Sequence, residues 1–165
     1  MKDLEQALKS IGAKSGLEIE LDETGACALQ LSDGRTLLIQ ERGGIDELDF
    51  VATLGRVPEE VRGEVFTGLL SANFYWQETC GATLSWNEDL EEAVIMYPLP
   101  LAGARPETVE EVFTRFLELQ AAWAERFAGM VAAAQERGGG EDGDGEEEDG
   151  GFGDGAGEPG VIINP

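Results

Sequence analysis

Apolar positions change their period several times along the chain, and each change marks an element. Leu4, Ala7, Leu8 and Ile11 recur at helical spacing, and Gly12 and Gly16 are expected to end that helix. Leu17, Ile19 and Leu21 alternate. The turn ETG leads to Cys27, Leu29 and Leu31, which alternate again, and SDG leads to TLLIQ. Short alternating runs between glycine turns describe an antiparallel meander, which Leu48, Phe50, Ala52 and Leu54 extend. Pro58 then opens a helix, with Glu59 and Glu60 in the first turn where the helix dipole favours acids. Its apolar positions are Val61, Val65, Phe66, Leu69, Leu70 and Phe74. Beyond Gly81, ATLSW and AVIMYPLPL read as two strands joined by the acidic turn NEDLEE, with Pro98 and Pro100 at a strand end or edge. Pro106 starts the last helix, whose stripe is Val109, Val112, Phe113, Phe116, Leu117, Trp123, Phe127 and Val131. Gly129 costs that helix about 1 kcal/mol relative to Ala, so its final turns are expected to fray. The order α-β-β-β-(β)-α-β-β-α predicts an α+β domain with helices over a twisted antiparallel sheet.

Composition divides the chain at Gly138. Residues 138–165, GGGEDGDGEEEDGGFGDGAGEPGVIINP, hold nine acids and no base, too little apolar surface to offset the entropy of ordering. The reading is a globular domain over 1–137 and a disordered acidic, Gly-rich tail over 138–165. Within that tail, Val161 and Ile163 would share one side of an extended strand. With 34 acids against 11 bases, the chain carries −23. Phosphate contacts need cations, so a nucleic-acid partner is not expected, nor is an anionic membrane surface. No apolar run approaches the roughly 18 residues of a membrane span. The first residues, MKDLEQALKS, lack a signal peptide's apolar core. Two cysteines are too few for a disulfide framework, and a reducing cytoplasm fits best.

The segment 69–86, LLSANFYWQETCGATLSW, packs two tryptophans, a phenylalanine, a tyrosine and Cys80 together and invites an active-site reading. The chemistry is missing. The chain has no histidine, so Cys-His and Ser-His pairs and the commonest metal ligand are absent. No cluster of bases lies near Cys80 to activate its thiol. Cys80 and Cys27 are both expected to be small core residues. Carboxylate pairs carry no signal among 34 acids. In the tail, the spacing from Asp142 begins like a calcium loop but has Glu147 where the loop needs glycine and Gly153 where it needs a glutamate. No catalytic residue, cofactor or metal is expected.

VPEEVRGEVFTGLLSANFYWQETCGATLSWNEDLEEAVIMYPLPL, followed by FLELQAAWAERF, resembles the class I type III secretion chaperones, the Tir chaperone family. The resemblance rests on Gly16-Leu17, Leu21-Asp22, Gly25 to Cys27, Leu69 to Asn73, Gly81 to Leu84, Pro98 to Leu101 and Trp123, and it spans about residues 2–130. It implies the order α-β-β-β-α-β-β-α and a homodimeric cytoplasmic chaperone of bacterial virulence. Such a chaperone binds the N-terminal region of a secreted effector in extended form and presents it to a secretion ATPase or sorting platform. By the same resemblance the dimer interface is expected on the central helix, at Val65, Phe66, Leu69, Leu70 and Asn73. Effector contacts are expected on the first helix and sheet, at Leu4, Leu8, Ile11, Leu29, Leu31 and Leu38. The acidic tail departs from the family pattern. A non-secretory adaptor, binding a basic partner through the acidic surface and tail, is the alternative.

Overall fold

In the computed structural model, residues 2–31 and 34–138 are described; the tail, with Val161 and Ile163, lies outside them. Helix α1 covers Lys2–Ser15. Strands β1 (Ala26–Gln30), β2 (Thr36–Arg42) and β3 (Glu47–Arg56) follow, then α2 (Arg62–Ala72), β4 (Thr83–Asn87), β5 (Glu92–Pro100) and α3 (Pro106–Gly138). The sheet is antiparallel throughout, in the order β1-β2-β3-β5-β4. The α+β class and the order α-β-β-β-α-β-β-α are as expected. Which stretch supplies each strand is not.

Leu17, Ile19 and Leu21 belong to no strand. Their alternation is real, with Ile19 buried and Leu17 and Leu21 half-buried between exposed glutamates. Period 2 reports an extended backbone with one sheltered side, whether or not a ladder partner exists. The chain is pinned at both ends of this stretch instead. Leu17 N–H donates to Gly12 O at 3.2 Å, and Asp22 N–H donates to Ala26 O at 2.8 Å. Gly12 therefore lies inside α1 rather than ending it. A β-carbon there would sit 2.6 Å from Leu17 O, so the close return of the chain requires glycine. Gly16, at φ 70°, is the residue that stops the helix.

Cross-strand pairing puts Cys27, Ile39, Phe50 and Tyr97 in one row, and Leu29, Leu37, Ala52, Ile95 and Leu84 in the next, all on one face. The helices cover this face. Phe50 meets Phe113 and Phe116 with ring centroids 5.7 Å apart in both pairs. Leu4, Ala7, Leu8 and Ile11 close the core from α1. Where α2 meets α3, the terminal methyl of Met130 lies over Gly68 and would have to move for a β-carbon there. The register of β3 shifts between Thr53 and Gly55. Gln120, buried in the stripe of α3, donates its amide to Thr53 O at 3.2 Å there. The chain after Pro58 makes a 3-10 turn, Glu59–Val61, before α2 begins. Despite Gly129, α3 runs unbroken to Gly138, and Arg137 near its end pairs with Glu64 of α2.

Candidate functional site

All three helices lie on one side of the sheet, so its other face carries none. The central row there is Ala28, Leu38, Val51, Met96 and Thr83. Ala28 and Thr83 are exposed and the middle three half-buried, which makes an apolar stripe across β1, β2, β3 and β5 that ends at Thr83 on β4. β1 and β4 are the edge strands; Asp22 takes the Ala26 N–H and O of β1 and Asn73 takes the Leu84 N–H and O of β4, and the rest of each outer row is unused by the sheet. A surface of this kind can take an extended chain through backbone hydrogen bonds and alternate side chains.

A second surface lies where α2 ends. Asn73 grips β4 with both ends of its amide: Nδ2 donates to Leu84 O and Oδ1 accepts from Leu84 N–H, both at 2.9 Å. The chain then turns through left-handed backbone at Tyr75 (φ 55°), Trp76 (φ 51°) and Cys80 (φ 51°). Phe74, Tyr75 and Trp76 are 74%, 73% and 54% exposed, and Leu70 one turn before them is 70% exposed. Phe66, by contrast, packs edge-on against Trp86 at 5.1 Å, and the Arg62 guanidinium lies over the same indole at 5.0 Å.

The expected contact residues are divided between core and surface. Of the dimer set, Val65 and Leu69 are buried within the subunit, Phe66 is half-buried, Asn73 is spent on β4, and Leu70 alone is fully exposed. Of the effector set, Leu4, Leu8, Ile11 and Leu29 are buried, while Leu31 and Leu38 are half-buried, Leu38 in the apolar stripe. Cys27 is core as expected, but Cys80 is exposed. The left-handed turn lifts Cys80 out, and no helical or strand period reaches that far. The exposure of Phe74 to Trp76 was not foreseen either. A signal existed: the apolar residues of α2, Val65, Phe66, Leu69 and Leu70, spread over an arc wider than one buried face can use.

Two carboxyls are held below their usual range. Asp22 accepts from the Thr24 hydroxyl at 2.7 Å and from the backbone N–H of Ala26 and Thr24. Glu110 is lowered by Lys14 on α1 and by Ser10. Both bonds fasten turns and helices and do not converge on a reaction centre. Among the described residues no group of three His, Cys, Asp or Glu side chains is placed to hold a metal ion. No described helix is long and apolar enough to cross a membrane.

The family profile of the Tir chaperone protein (CesT) family matches residues 6–124. The chain belongs to that family. The matched span runs from α1 to just past Trp123, and it contains the apolar stripe, the Asn73 grip and the aromatic turn. The fold recurs in solved structures. One is an ExsC-ExsE complex, with TM-score 0.64, 20% identity, and 79% of this chain covering 94% of that one. Another is the heterodimeric ExoU-SpcU complex of the type III secretion system of Pseudomonas aeruginosa, with TM-score 0.57, 17% identity, and coverage of 74% and 95%. A third is the HopA1-SchA chaperone-effector complex, with TM-score 0.56, 15% identity, and coverage of 73% and 92%. No curated protein matches the sequence.

Proposed function

We propose that this chain, a type III secretion chaperone, holds the N-terminal region of a secreted effector in extended form and keeps it competent for secretion. The supporting observation is the helix-free sheet face, with its apolar stripe through Leu38, Val51 and Met96 and the open β1 edge beside it. Holding a chain extended needs backbone partners and apolar recesses, and no catalytic group. The chaperone works in the bacterial cytoplasm and acts without enzymatic chemistry, handing its cargo to a secretion ATPase or sorting platform.

The working unit is a homodimer. Leu70, Phe74, Tyr75 and Trp76 are the apolar residues at the end of α2 that the subunit leaves uncovered. An isologous contact would bring this surface against its own copy.

The test starts from the full chain purified from its native cell, with co-purifying polypeptides identified by mass. The N-terminal fragment of the stoichiometric partner is then produced alone and with the chaperone. The expected result is a fragment that is soluble only in the complex, and that limited proteolysis and NMR show to lack a fold of its own. A fragment that folds independently and gains nothing from the complex would refute the reading.

A further inference from the structure

The cations of α3 are Arg115, Arg126 and Arg137, eleven residues apart in each step. Eleven residues make just over three turns, so the arginines stand nearly on one line, about 16.5 Å from one to the next. The strip between them holds Leu119, Ala122, Gly129 and Ala133 and no acid. Arg137 pairs with Glu64 of α2, and Arg126 with Glu78 of the turn that follows Trp76. Both are exposed pairs, of the kind that exchanges partners at little cost. Arg115 makes no ion pair among the described residues.

Two hollows lie along this line. One, of about 400 Å³, runs between α2 and α3 and is lined by Arg126, Arg137 and the small residues Gly68, Gly129 and Ala133. The other, of about 500 Å³, is lined by Tyr97, Val112, Phe116 and Leu119, with exposed Arg115, Glu118 and Cys80 around them. Its walls are aromatic and aliphatic, and they suit a further aromatic ring packed edge-on or offset.

The chain carries a side chain for this hollow. Residues 139–165 contain one aromatic, Phe152, set between Gly151 and Gly153, with seven carboxylates from Glu141 to Asp149 before it and Asp154 after it. Phe152 is 14 residues beyond Gly138, while Leu119 and Phe116 are 19 and 22 residues before Gly138. Along the helix that is about 28 to 33 Å. Fourteen residues span about 20 Å as a coil and about 48 Å when fully extended, and a self-repelling acidic run falls between these limits. We propose that residues 139–152 fold back along the arginine line of their own subunit and seat Phe152 in the hollow beside Cys80, with Asp149 and Asp154 flanking Arg115. The tail's carboxylates take the place of Glu64 and Glu78 at Arg137 and Arg126, and its glycines let it lie close over Gly129 and Ala133. The tail is a strap over apolar surface, and a partner that needs the hollow must displace it.

Cys80 reports the strap, because it lines the hollow and is exposed, whereas Cys27 is buried. The native full chain is treated with iodoacetamide, a neutral reagent, and the first alkylation is followed by intact mass. Phe152→Ser should accelerate it about threefold, as expected where a tether supplies an effective concentration about twice the contact's millimolar dissociation constant. Arg115→Gln should accelerate it as well. Loss of a nearby cation by itself makes a thiol less reactive, so a direct charge effect on Cys80 has the opposite sign. Val161→Ser with Ile163→Ser, in the same tail, should keep the wild-type rate. That rate should be equal at about 1 and 100 µM protein, because the contact is intramolecular. Equal rates for wild type and Phe152→Ser, or equal acceleration in the Val161 and Ile163 variant, overturn the proposal. Protection that grows with protein concentration also overturns it and gives the hollow to a second copy.

Discussion

Leu70 offers the cleanest test of how two copies of this chain would meet. It lies on α2 beside buried Leu69, yet is 70% exposed and touches little of its own subunit. Leu70→Ser should therefore leave folding almost unchanged. Burying a leucine fully is worth about 1.5–3 kcal/mol, so covering the exposed share contributes about 1–2 kcal/mol per subunit. A two-fold interface counts the change twice, giving about 2–4 kcal/mol, or a dissociation constant raised roughly 30- to 1,000-fold. Sedimentation velocity over a dilution series reads the constant directly. Leu90→Ser, at a 52% exposed leucine in the β4–β5 turn, is the matched control and should change nothing. Leu69→Ser could not serve, because a residue only 4% exposed would damage the core first. Equal dissociation constants for wild type and Leu70→Ser, or a wild type that is monomeric at micromolar concentration, would refute the placement of the interface.

Asn73→Ala removes both amide bonds to Leu84 and strands a part-buried N–H and C=O, so it should cost about 2–4 kcal/mol, read as a lower urea midpoint at unchanged slope; a loss under about 0.5 kcal/mol would show that β4 does not depend on the grip. Asp22 has its folded pKa depressed, chiefly by the Thr24 hydroxyl, so its charge stabilises the fold above the unfolded carboxylate pKa, and that contribution is lost as pH falls through the lower folded value. Asp22→Asn should therefore melt below wild type at pH 7, with the gap closing as pH falls through the carboxylate range; a gap that is constant with pH would exclude the charge as its source.

The elements that the sequence marks clearly are those whose signal is local. Helical spacing at Leu4 to Ile11 and at Val109 to Phe127, and alternation at Leu48 to Leu54, report burial of one side, and burial is what they have. The missed features depend on contacts distant in sequence. Ile19 alternates as a strand residue does, but the return of the chain over Gly12 gives it no ladder partner. Gln120 reads as a polar interruption of the α3 stripe until the irregularity at Thr53 shows what its amide meets. Family resemblance located the central helix, but it could not say which of its faces the subunit uses itself. The answer depends on Met130 approaching Gly68 and on Trp86 covering Phe66.

The turn after Asn73 is costly to the subunit that carries it. A non-glycine residue in left-handed backbone loses roughly 1–2 kcal/mol, and Tyr75, Trp76 and Cys80 all adopt it. The same turn leaves three aromatic side chains in water. Asn73 on Leu84, Trp76 N–H on Asn73 O and Ala82 N–H on Thr79 O hold it in place. A chain shaped only by its own stability would carry glycine or asparagine at these positions. The strain and the exposure are accounted for together if a partner covers the surface. Two chains of −23 repel each other, so an apolar contact between copies works against like charge, and screening should tighten it. Raising salt from about 0.05 to 0.3 M should therefore lower the dimer dissociation constant. A constant that rises with salt would mean that opposite charges, and not the exposed aromatic turn, hold the copies together.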